Sequence, residues 1–81
     1  MKITLFTTDS ACNDIGSFKI AHITMFDGKG IISLHFISNE EQMKCINLFI
    51  KHYVLFKCQG SHISILPEEN NFQRVRFRFD S

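Results

Sequence analysis

Apolar and polar residues alternate at the start of the chain. Ile3, Leu5 and Thr7 fall on one parity and Lys2, Thr4 and Phe6 on the other, which predicts a strand over about residues 2–8. The segment from Asp9 to Gly16 is rich in turn residues and reads as a loop. Residues 17–26 are β-branched and aromatic, so they predict a single second strand. Asp27-Gly28-Lys29-Gly30 follows, and Asp-Gly between two apolar runs is a hairpin signal because the tight turn needs positive φ. Ile31 to Ile37 is then the third strand.

The period changes at Ser38. Ser38-Asn39-Glu40-Glu41 has the form of a capping box, in which Ser38 accepts from the third backbone N–H and Glu41 reaches back. Met43, Ile46, Phe49, Ile50, Tyr53 and Val54 recur at steps of three and four and predict the buried face of a helix. The same periodicity carries the helix on to Cys58, with Gly60 as its left-handed terminator. A rival reading ends the helix near His52 and makes Val54–Cys58 a strand. Ser61 to Leu66 alternates again, Pro67 to Asn71 is turn-forming, and Phe72 to Phe79 predicts a last strand. The expected fold is a single α+β domain over residues 1–81: an antiparallel sheet of about five strands, β-β-β-α-β-β, with one helix packed on one face.

Size and composition narrow the function classes. A domain of 81 residues buries only about 60–65% of the surface its unfolded chain exposes. That leaves little room for a deep enzyme cleft beside the core. Nine phenylalanines, one tyrosine and no tryptophan supply the apolar bulk. A net charge of +1 gives no global field for a polyanion or an anionic membrane. Three cysteines are a poor disulfide framework, and the polar start does not resemble a signal peptide, so a cytoplasmic location is expected, with no membrane partner.

The last strand carries the most informative local chemistry. Arg74, Arg76 and Arg78 are all the arginines of the chain, and they alternate with Val75, Phe77 and Phe79. In a strand the two sets face opposite ways, with guanidinium groups roughly 6.5–7 Å apart along one face. Arginine suits forked contacts with carboxylate or phosphate. The row therefore predicts a partner-binding face for a larger protein with an acidic surface, or for a nucleic-acid backbone. The plain alternative is a solvated face that guards an edge strand against aggregation. No glycine-aromatic RNA-recognition pattern, zinc-finger spacing or GxxG loop accompanies it.

Other constellations are weaker. Leu48, Lys51 and Leu55 would form an outward seam for a homodimer or a partner if the helix reaches Cys58. Cys58 and His62 have a ligand-like spacing, but no second pair accompanies them, so neither a metal nor a cofactor is expected. Cys12, in a polar loop, with His22 and His35 is the main enzymatic option, a cysteine-dependent enzyme as a remote alternative, and no oxyanion motif lies beside it. Gly28-Lys29-Gly30 falls far short of a phosphate loop. The leading expectation is a small non-enzymatic binding module, an inhibitor or adaptor of a larger partner. Inhibitors and adaptors encoded by phages or mobile elements offer an analogy of scale.

Overall fold

The computed structural model describes residues 1–11, 13–26, 30–66 and 75–80. The elements are β1 (Lys2–Thr7), β2 (Asp14–Lys19), β3 (His22–Phe26), β4 (Ile31–His35), α1 (Asn39–Lys51), β5 (Phe56–Gln59), β6 (His62–Ile65) and β7 (Val75–Asp80). The expected class of small mixed α and β domain stands, but its layout differs from one sheet of five strands. Among the described residues, seven strands form two antiparallel sheets, one ordered β2-β1-β7 and the other β3-β4-β6-β5.

The difference begins at Ile20. The run 17–26 is not one strand, because the chain changes sheets in its middle. The backbone N–H of Ile20 donates to the carbonyl of Met1 at 2.9 Å, on the three-stranded side. The next N–H, that of Ala21, donates to the carbonyl of His35 at 2.7 Å, on the four-stranded side. Adjacent amides thus serve different sheets, and Ile20 is buried at the corner. The expected loop before it is also shorter, since β2 already pairs with β1 from Asp14, across a register shift between Leu5 and Phe6.

The helix starts as the cap predicts. Ser38 is extended, and its Oγ accepts from the Glu41 N–H at 3.2 Å. Glu41 does not close the box. Its carboxylate accepts the Lys19 backbone N–H of β2 at 2.9 Å and pairs with Lys44 Nζ at 3.2 Å.

The helix ends at Lys51, not at Cys58. Tyr53 takes the left-handed conformation, φ 60°, that was expected of Gly60. The Val54 N–H returns to the Phe49 carbonyl at 2.9 Å and the Tyr53 N–H to Ile50 at 3.3 Å, the paired bonds of a Schellman stop. Val54 and Phe49 are both buried, completing its apolar contact. The rival reading of a strand after the helix is therefore the observed one, as β5, and Gly60 (φ 60°) serves the turn into β6.

The buried helical face is also rotated from the expected stripe. Gln42, Cys45 and Phe49 are buried, whereas Met43 and Ile50 are exposed. Gln42 earns its interior place by donating through Nε2 to the Gly60 carbonyl at 2.8 Å and contacting Cys58 Sγ at 3.3 Å. Phe49 is the centre of the core. Its ring meets Phe18 of β2 at 6.0 Å, Phe56 of β5 at 5.7 Å and Phe77 of β7 at 5.9 Å, so one helical residue touches both sheets. The turns expected at 27–30 and 67–71 lie wholly or mostly outside the described residues, but the strands flanking the first do pair, Phe26 opposite Ile31.

Candidate functional site: a cationic sheet face and a histidine row

β7 is extended, as the arginine argument requires. Val75 is buried and Arg76 and Arg78 are exposed. Arg74 lies outside the described residues. The core-facing parity weakens toward the strand's end, where Phe77 is half-buried and Phe79 is 42% exposed.

Register enlarges the arginine row into a face. Across β1, Arg76 stands opposite Phe6, Arg78 opposite Thr4, and Asp80 opposite Lys2. On the other side of β1, Lys2 stands opposite Lys19, Thr4 opposite Ser17 and Phe6 opposite Asp14. Directly paired residues of antiparallel strands project from the same face. Lys2, Lys19, Arg76 and Arg78 therefore share one surface, on which the strands' own carboxylates are Asp14 and Asp80, and Glu41 of the helix lies beside Lys19, accepting its backbone N–H.

Arg78 Nε pairs with Asp80 Oδ2 at 3.3 Å, but the pair is exposed, which makes it worth about 0–1 kcal/mol. Arg76 has no ion pair among the described residues. Met1, Lys2, Lys19 and Asp80 line an open concavity of about 310 Å³ at one end of the face. At its middle, Thr4 is buried and its Oγ1 has no hydrogen-bond partner among the described residues. The contributions of Lys2 and Lys19 were missed in the sequence. Their alternation with apolar neighbours was visible, but their pairing was not.

The Leu48/Lys51/Leu55 seam is not assembled as the long helix would have it. Leu48 is half-buried and packs on β2, where a Cβ added to Gly16 would meet both its methyl carbons at 2.7 Å. Lys51 is exposed in the last turn, and Leu55, 49% exposed, lies beyond the helix. The metal and cysteine candidates also separate. Cys58 pairs with Ile63 and contacts Gln42 of the helix, while His62 belongs to the other parity of the sheet. Cys45 is buried, which pushes its thiol pKa up, with Cys58 adding to the shift. Cys12 lies outside the described residues. Among the described residues no three histidine, cysteine or acidic side chains are grouped to hold a metal.

A second feature was legible only in part, since the hairpin expected at Asp27-Gly28 puts His22 and His35 on paired strands but says nothing of His62. His22, His35 and His62 sit directly opposite one another on β3, β4 and β6. Their rings stack across the sheet, 4.2 Å and 5.2 Å between centroids and within 11° and 25° of parallel. Thr24 Oγ1 lies 3.3 Å from His35 Nε2, and Gln59 Oε1 lies 3.2 Å from His62 Nε2. The next row is Thr24, Ser33, Ser64 and Lys57, with the two serine hydroxyls 3.0 Å apart.

Compared with protein-family models, with curated proteins and with solved structures, the chain matches none of them. Among the described residues no helix is long and apolar enough to cross a membrane.

Proposed function

We propose that this chain is a small non-enzymatic binding module, an inhibitor or adaptor that covers an acidic surface on a larger protein. Arg76 and Arg78 form the centre of the contact, Lys2 and Lys19 extend it, and Arg74 continues the alternation along the chain. The observation that carries the reading is the register of β7 on β1, which lines up exposed guanidinium and ammonium groups on one face while Val75 is buried on the other. Four cations on a rigid sheet match a surface of carboxylates without large conformational change, and charge complementarity of this kind raises the association rate and rejects basic partners.

A nucleic-acid backbone is the second reading of the same face. Phe6, half-buried opposite Arg76, puts an aromatic ring on the cationic side, where stacking on a base would need it.

The test uses two probes, fluorescent polyglutamate and a single-stranded oligonucleotide, with anisotropy measured over a salt series. The Arg74→Glu/Arg76→Glu/Arg78→Glu protein is expected to lose polyglutamate binding while its thermal midpoint stays nearly unchanged. Oligonucleotide binding with a log–log salt slope of roughly −2, as three released counterions would give, favours the second reading. Unaltered binding of both probes by the folded triple variant removes both.

A further inference from the structure

We propose that the histidine row of the four-stranded sheet is an acid-sensitive latch: closed while its three imidazoles are neutral, and opened when protonation places like charges along one line. The inference is independent of the cationic face, which lies on the other sheet.

The geometry makes the latch. His22, His35 and His62 come from three adjacent strands, and His35 is the middle ring, half-buried with a neighbour on either side. Neutral imidazoles stack like other aromatic rings, edge against face or offset and parallel. Imidazolium rings only 4.2 Å apart repel instead. Nothing on the four strands offsets that charge. β3 contributes His22 and Thr24 to this face, β4 His35 and Ser33, β6 His62 and Ser64, and β5 Gln59 and Lys57. Lys57 is the one permanent charge among these described residues, and it has the same sign. The helix packs on the opposite face, where it reaches Cys58.

Burial lowers the His35 pKa below its ordinary value, and His22 and then His62 lower it further. The unfolded chain therefore holds more protons than the native one in this range, so stability rises with pH. The contribution is complete above the unfolded value near 6.5 and is lost as pH falls through the lower folded one. The Nε2 atoms of His35 and His62 lie against Thr24 Oγ1 and Gln59 Oε1, and among the described residues no three histidine, cysteine or acidic side chains are grouped to hold a metal.

The experiment is urea unfolding of the full chain from pH 7.5 to 5.0. The wild type is compared with His35→Gln, with His22→Gln/His35→Gln/His62→Gln, and with His52→Gln as a control for the remaining histidine. One linked proton raises the unfolding constant about tenfold per pH unit between the two pKa values. The single and the triple variant are both expected to lose most of that slope, which His52→Gln leaves in place. Hydrogen exchange, corrected for intrinsic rate, should show protection falling at pH 5.5 in β3, β4 and β6 before β1 and β7. A wild type with no slope, a triple variant as steep as the wild type, or equal loss in both sheets would overturn the latch. So would a rise in wild-type melting temperature with zinc or nickel at pH 7.5 that the triple variant lacks, which would make the row a metal site.

Discussion

Phe49 should be the most sensitive position on the helix, and Ile50 beside it among the least. Phe49 is fully buried and its ring stands within 6.0 Å of three others, two from the three-stranded sheet and one from the four-stranded sheet. Truncation to alanine would cost about 3–5 kcal/mol. That rivals the whole stability of a domain this size, roughly 4–12 kcal/mol at the usual value per residue. Leucine is the better probe because it keeps apolar volume while removing the ring contacts, for a loss of about 1.5–3 kcal/mol. With a urea m-value of about 1 kcal/mol/M, the midpoint should fall by about 1.5–3 M with m unchanged. Ile50→Ala, at a position 62% exposed, should shift stability by no more than about 0.5 kcal/mol. If Ile50→Ala proves as damaging as Phe49→Leu, the helix presents the stripe that its periodicity suggests, and the rotation set by Gln42 and Phe49 is wrong.

Two further outcomes follow from the ends of the helix. Tyr53→Gly relieves a left-handed tyrosine at the Schellman position and should raise the melting temperature by about 2–8 °C, corresponding to about 0.5–1 kcal/mol; a fall would mean that contacts of the ring outweigh the backbone strain. Glu41 is held below its ordinary pKa, chiefly by the Lys19 backbone N–H, aided by Lys44 and opposed by partial burial. Its stabilisation is present in full above about pH 4.5 and is lost as pH falls through the folded value, so urea midpoints of wild type and Glu41→Gln should differ at pH 6 and converge as pH falls below that folded value. A gap that stays constant would show that the carboxylate's charge is not what ties α1 to β2.

Local physics was enough for several elements. The alternation of β1 and β7, the cap at Ser38 and the extended β6 follow from side-chain parity and from one hydroxyl placed before a helical period. So does the exposure of Arg76 and Arg78, because Val75, on the opposite parity of the strand, has to be buried. The helix stop was not legible in this way. A tyrosine in the left-handed region is locally unfavourable, and it is accepted because Val54 and Phe49 gain a buried contact when the chain turns there.

What the chain's own sequence determined is that β1, β4, β6 and β7 are extended, where the helix begins and which parity of the last strand is polar, since these depend on neighbours within a few positions. Which strands meet was decided by tertiary structure. The run through Ile20 and Ala21 is uniformly strand-forming, and only the carbonyls of Met1 and His35, waiting in different sheets, divide it. The same long-range register joins Lys2 and Lys19 to the arginines and brings His22, His35 and His62 into one row, although these residues lie far apart along the chain. Apart from β3 and β4, linked by the Asp-Gly hairpin signal, pairing across strands depends on closing loops around a shared core, which no local pattern encodes.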